Sequence, residues 1–225
     1  MSVLSASLAA VQQRIARAAE ACGRNPADVR LIAVSKMHPP EAIREAYDAG
    51  QRAFGESYAQ ELDSKAQALA DLEDLEWHFI GHLQTNKAKL VARYAHVVHT
   101  VDSAVLAREV AKRADTAGRT LSVLIEVNVG AEPQKHGTPP TELAEVIDAV
   151  RREPRLLLRG LMTMPPAGDL DATRRVFETL VTLRALHGGV AALPELSIGM
   201  SQDLEVAIAC GATMVRVGTA IFGPR

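Results

Sequence analysis

Cysteine, net charge and long apolar runs are all in short supply in this chain. Two cysteines in 225 residues, Cys22 and Cys210, are too few for a disulfide framework, and their spacing fits no zinc site. A formal charge of −2 gives no electrostatic footing for nucleic acid or an anionic membrane as the main partner. No uninterrupted apolar stretch approaches the ~18 residues of a spanning helix. The opening "MSVLSASLAAVQQRIARAAEACG" has no basic leader ahead of an apolar block, which argues against a signal peptide. These absences predict a cytoplasmic protein with neither membrane nor nucleic acid as partner.

What is present is apolar material, 48% of the residues, enough for a sizeable core. Leu4, Leu8, Val11 and Ile15 recur at helical steps, so residues 1–22 read as an amphipathic helix with Gly23 as its stop. Short apolar runs then alternate with longer helical patterns. Strands are predicted at 30–35, 52–55, 77–80, 97–101, 121–127, 156–162, 195–199 and 213–217. Helical patterns fall at about 40–50, 57–70, 84–94, 103–117, 139–152, 170–187 and 202–209. Strict alternation means parallel βαβ units. Eight strands suit a closed (β/α)8 TIM barrel, which typically takes roughly 250 residues. An open doubly wound sheet also alternates, but no G-x-G-x-x-G follows the first strand. The predicted fold is therefore α/β: one barrel domain over 30–225 with an extra N-terminal helix, undivided by any linker or low-complexity tract.

The stretch "IAVSKMHPP" (32–40) ends an apolar run on a lysine. An ammonium group is strongly hydrated and shifts its pKa readily when buried. Barrel active faces lie where strands end and βα loops begin, which is where Lys36 falls. Alternation along the strand points it the same way as Ile32 and Val34. Closure makes strand eight, "TMVRVGTAIFG", its neighbour at ~4.8 Å, with Arg216 on that strand. Nothing in this apolar setting is expected to neutralise the two cations, so an anionic ligand is implied. Gly218 and Thr219 offer N–H groups and a hydroxyl after strand eight. Ser201 is expected to cap the helix after strand seven, its hydroxyl facing the same spot. A lysine amine, an arginine and two phosphate-accepting turns suit pyridoxal 5′-phosphate.

The motifs "AVSK" (33–36), "FGESYAQE" (54–61), "WHFIGHLQTNK" (77–87), "GLMTM" (160–164) and "LSIGMSQDLEVAIACGATMVRVGTAIFG" (196–223) cover nearly the whole chain in order. With them the sequence resembles the pyridoxal phosphate homeostasis protein family, also called the proline synthase co-transcribed family. These are single-barrel relatives of the alanine racemase N-terminal domain, of PLP fold type III. The resemblance implies that Lys36 forms a Schiff base with the cofactor, that Ser201, Gly218 and Thr219 hold its phosphate, and that Arg216 faces its pyridine nitrogen. Two departures stand out: Ser57 where the family usually shows Asn, and Met37-His38-Pro39 where it often shows Thr-Lys-Pro.

An arginine stays charged, so it can donate to the ring nitrogen but cannot accept from it, which weakens the ring as an electron sink. A racemase also needs acid/base groups on both faces of the substrate carbon. In the resembling racemases the second group is a tyrosine from a further domain of the partner subunit, and no such domain is expected here. Of Tyr47, Tyr58 and Tyr94, none is obviously placed to replace it, although Tyr58 could lie near the strand-two loop. The expected function is to bind, buffer and deliver the cofactor, supporting vitamin B6 and amino-acid homeostasis. No residue is assigned as catalytic, and transient contact with PLP-dependent apo-enzymes is the expected partnership. The absence of a second domain suggests a monomer. A PLP-dependent amino-acid racemase or lyase is the alternative; a phosphosugar aldolase fits the barrel but explains Arg216 less well.

Other features read as structural. His78 and His82 are four apart but on a strand and turn, and His96 and His99 have opposite parity, so no metal site is expected. Lys87 and Lys89 belong to a solvated face. "GTAIFG" has P-loop glycine spacing but lacks the lysine. "MTMPPAGDL" (162–170) and "AEPQKHG" (131–137) read as rim loops, the latter carrying Lys135, which could accept cofactor transiently.

Overall fold

A computed structural model describes residues 2–130, 136–166 and 168–224. Lys135 lies outside them. Helix α1 (Val3–Ala21) buries Leu8, Val11, Ile15 and Ala19, the stripe that the three- and four-residue spacing predicts. Gly23 ends it at φ +69, where a side chain would be strained. Its N–H reaches the Glu20 carbonyl and that of Arg24 reaches Ala19, the paired bonds that close a helix on a left-handed residue.

Strands and helices then alternate: β1 (Arg30–Val34), α2 (Pro40–Asp48), β2 (Ala53–Glu56), α3 (Ala59–Ala68), β3 (Glu76–Phe79), α4 (Ala88–Tyr94), β4 (Val97–Val101), α5 (Ala104–Thr116) and β5 (Leu121–Glu126). After these come α6 (Leu143–Arg151), β6 (Leu156–Met162), α7 (Leu170–Leu186), α8 (Gly189–Ala192), β7 (Glu195–Ser197), α9 (Leu204–Ala209), β8 (Met214–Val217) and α10 (Thr219–Phe222). Every predicted strand is present within two residues at either end. The short α8 and α10 are additions to the helical patterns read from the sequence.

The eight strands close into a parallel barrel in chain order. Closure sets Ile32 of β1 opposite Arg216 of β8 and Ala33 opposite Val217. Outward-facing residues such as Ala33, Phe54, Val98 and Val215 join the helices in one large core. Inside, apolar filling is sparse: Ile32, Ala53 and Met214 form one cluster, Val97, Leu124 and Met162 another. The remaining interior holds buried polar groups, among them His78, His99, Ser197 and Arg216. Polar groups in that position must be hydrogen-bonded to one another or to a ligand.

Helix α1 packs outside the barrel against α2, α9 and α10. Arg14 forks onto the Glu205 carboxylate at 2.9 and 3.1 Å and donates to the Ser201 carbonyl at 3.2 Å. Arg24 donates to the Ile208 and Ala212 carbonyls, both at 2.7 Å. Two arginines thus tie the first helix to the loops beside β7 and β8. No helix among the described residues is long and apolar enough to cross a membrane.

Candidate functional site

Lys36 stands half-buried just past the end of β1, on the same strand face as Ile32 and Val34. The loop after β8 lies directly against that strand. A Cβ added to Gly218 would sit 3.1 Å from the Val34 carbonyl oxygen and 3.3 Å from Val34 Cβ. Glycine is what lets the two backbones approach so closely. Gly218 then precedes the α10 turn, whose first N–H groups have no intrahelical acceptor. Ser201 and Thr219 line one cleft of about 690 Å³ together with Pro165 and Pro166. Lys36, Arg216, Gly218, Thr219 and Ser201 therefore gather at the end of the barrel where its strands finish.

Ser201 is not the helix cap that the sequence suggests. The chain takes an extra turn, so Asp203 occupies the position before α9, and its carboxylate accepts from the Met200 N–H instead of an N–H of the helix. Ser201 is placed by its backbone, through the bond from Arg14.

Arg216 is buried, and its anchoring is detailed. Nη1 donates to the Ser197 carbonyl at 2.7 Å and to Ser197 Oγ at 2.6 Å, while Nη2 donates to the Thr163 carbonyl at 3.3 Å. Among the described residues these three bonds use three of the five guanidinium donors, leaving two for a ligand. Because Ser197 Oγ accepts from arginine, its own proton goes to His99 Nδ1, 2.8 Å away. His99 then carries its proton on Nε2 and donates to His78 Nδ1 at 2.8 Å. Burial lowers the pKa of both imidazoles, His99 well below its usual value, so the pair is neutral. His78 Nε2–H faces Glu76, 3.7 Å away at the opposite mouth of the barrel. The nearby His78 N–H, beyond hydrogen-bond length, and the Arg30 guanidinium at 2.6 Å pull the Glu76 carboxyl down to about 2.

Two acids correct the expectation that the cations sit in an apolar setting. Glu126, at the end of β5, and Asp203 both act on Arg216, partly offsetting the burial that lowers its pKa to about 10. Glu126 shares a strand face with the interior Leu124 and is 8% exposed. Among the described residues its buried Oε2 has no hydrogen-bond partner. Burial, reinforced by Asp102 and opposed by Arg216, pushes its carboxyl up to about 7. Gly137 covers it at φ +108, where an added Cβ would meet Asn128 N at 2.8 Å and Glu126 Cγ at 3.2 Å. The sequence reading passed over Glu126, although the signal that singled out Lys36, a charge closing an apolar strand, is present in "LSVLIEV" too.

The shift has a consequence for stability. A carboxyl whose folded-state pKa lies above its unfolded value of 4.5 favours folding fully below that value and loses the advantage as pH rises through about 7. The full loss is on the order of 3 kcal/mol. Glu126→Gln, neutral throughout, is expected to gain on the wild type by roughly 2–3 kcal/mol between pH 5 and pH 8. Urea unfolding of both proteins at the two pH values measures it, and a pH-independent difference refutes it.

The remaining candidates disperse. His82 stacks on His136 at the rim, ring centroids 3.6 Å apart, and His96 accepts from the Trp77 N–H at 2.9 Å. Among the described residues no group of three or more His, Cys, Asp or Glu is placed to hold a metal ion. Tyr47 pairs with Asp74 under Arg52, and Tyr58 is 53% exposed.

The profile of the alanine racemase N-terminal domain matches residues 6–225. The pyridoxal phosphate homeostasis protein of Pseudomonas aeruginosa is 45% identical over 227 residues, covering all of this chain and 97% of that one. Among solved structures, PipY of Synechococcus elongatus is 38% identical and covers 98% of this chain and all of its own. Its form without PLP superposes with a TM-score of 0.88, and its form with PLP bound with 0.85. The chain belongs to the pyridoxal phosphate homeostasis proteins, within the alanine racemase N-terminal domain family.

Proposed function

We propose that the chain binds pyridoxal 5′-phosphate at the barrel mouth and carries and buffers it, with Lys36 as the covalent attachment point. The observation that carries this reading is the direct packing of the Gly218 loop against Val34, two residues from Lys36, with Arg216 opposite Ile32 on the adjoining strand. The residues fit the group. Ser201, Gly218 and Thr219 supply hydroxyls and N–H donors suited to a phosphate. Arg216 keeps two donors for a ring nitrogen, and the buried Glu126 Oε2, without a partner among the described residues, marks a place where a polar ligand atom is wanted. When bound, pyridoxal phosphate supplies an electrophilic aldehyde on an electron-withdrawing ring.

Carriage follows from what this chain's residues do. The Ser197–His99–His78 chain is neutral and holds Arg216 as a donor, so the ring nitrogen gains no proton from it. The cofactor's electron-withdrawing power is thereby kept low, which suits storage and transfer more than turnover. The protein is read as cytoplasmic and monomeric, passing cofactor to apo-enzymes in transient encounters. Glu126 favours a second reading, slow amino-acid racemase or lyase activity, because a carboxyl poised near neutrality can exchange a proton.

The test is a spectrum of purified protein with added pyridoxal phosphate, before and after borohydride, followed by peptide mapping. A visible band that borohydride abolishes, with the label on Lys36, is the expected result; a label only elsewhere overturns the assignment. Turnover of amino acids faster than with free cofactor, lost in Lys36→Ala, would favour the enzymatic reading.

A further inference from the structure

The motif "FGESYAQE" contributes two acids, Glu56 and Glu61, to which the cofactor site gives no task. Glu61 grips the backbone just after Lys36, while Glu56 holds the Ser35 side chain and Lys65 just before it. Side chains alternate, so Ser35 faces outward while Lys36 faces the barrel mouth. Ser35 Oγ donates to Glu56 Oε1 at 2.7 Å. Lys65, from α3, donates to the Ser35 carbonyl and to Glu56 Oε1, both at 2.8 Å. Beyond Lys36, the Met37 N–H donates to the two oxygens of Glu61 at 3.1 and 3.0 Å. Lys65 joins the two halves through Glu61 Oε2 at 3.4 Å.

Two further facts show that the backbone at Lys36 is what this cluster holds. Met37 adopts φ +65, a left-handed conformation that a side-chain-bearing residue takes only when its surroundings impose it. Its own side chain is 57% exposed, so the constraint does not come from packing of that side chain. Meanwhile the Lys65 and Glu56 side chains are 5% and 0% exposed. A buried ion pair is a poor source of stability compared with an apolar pair of the same shape, and specifying one geometry is among the uses that retain it.

We infer that Glu56, Glu61 and Lys65 are positioning residues, a hydrogen-bonded clamp that fixes the direction in which Lys36 leaves β1. The inference rests on the reading of Lys36 as attachment point and adds the means by which its amine is aimed. Preorganisation of this kind appears as affinity, because an amine held toward the ligand has less freedom to lose on binding.

Glu61 is the residue to change, since its side chain is 29% exposed and α3 does not depend on it for burial. Glu61→Ala is expected to weaken pyridoxal phosphate binding about tenfold in a titration of the visible band and to move the pH midpoint of that band, with the melting temperature of the cofactor-free protein changed by no more than about 2 °C. Glu61→Gln, whose amide oxygen can still accept from the Met37 N–H, is expected to restore most of the affinity. Wild-type affinity and an unmoved midpoint in Glu61→Ala overturn the clamp while leaving the attachment reading intact. Borohydride labelling of the wild type away from Lys36 removes that reading, and the clamp with it.

Discussion

Lys36→Ala is expected to give a folded protein that stays colourless with pyridoxal phosphate and takes up no label on borohydride treatment. Lys36 is half-buried at a rim, where loss of a side chain shifts stability by about 0.5 kcal/mol. For a chain of this size that is a change of about 2 °C or less in melting temperature. The wild type at a cofactor concentration 100 times its Kd gains about 2.7 kcal/mol, or roughly 5–10 °C. The two effects differ enough for a thermal shift assay to separate them. The variant should melt like the cofactor-free wild type whether or not pyridoxal phosphate is added. A variant that still shows the full shift would mean that attachment lies elsewhere.

Arg216→Leu carries the second large effect, and it falls on fold and ligand together. Removing the guanidinium strips the donors from the Ser197 and Thr163 carbonyls in a buried setting. It also removes the positive charge that opposes the rise in the Glu126 and Asp203 carboxyls, so both hold their protons more tightly. Removing one member of such a buried network costs about 3 kcal/mol of stability. A charged donor to a ligand is worth up to about 3 kcal/mol, so affinity for pyridoxal phosphate should fall about 100-fold. Arg216→Lys separates the two contributions. It keeps the charge but not the fork, so it should recover stability better than affinity. An Arg216→Leu protein that binds as tightly as the wild type, with an unshifted visible band, would remove Arg216 from the cofactor site.

The architecture was open to reading because its signals are local and repeated. Runs such as "LSVLIEV" and "VVHTV" belong to strands covered on both faces, and the intervening patterns bury one stripe each. Once eight such units are counted, closure brings Lys36 and Arg216 to adjoining strands without further information. What escaped depends on contacts that no periodicity encodes. The Ser197–His99 bond joins β7 to β4 across the barrel interior, between residues 98 apart in sequence. Asp203 displaced Ser201 as the residue before α9 because its carboxylate is taken by the turn behind it. Nothing in the local pattern marks Glu56 and Lys65 as buried; only the packing of α3 onto β2 seals them beneath the strand ends.

The bond from Arg14 to the Ser201 carbonyl spans 187 residues of sequence, and the β1–β8 seam is nearly as long-range. During synthesis, helix α1 therefore finds its seat only once the segments around β7 and β8 have been made. Such distant pairings slow folding and leave partly made chains with an unfilled flank. The phosphate turn and the lysine thus meet only when the β1–β8 seam closes, so the pocket is built by the most distant pairing in the barrel.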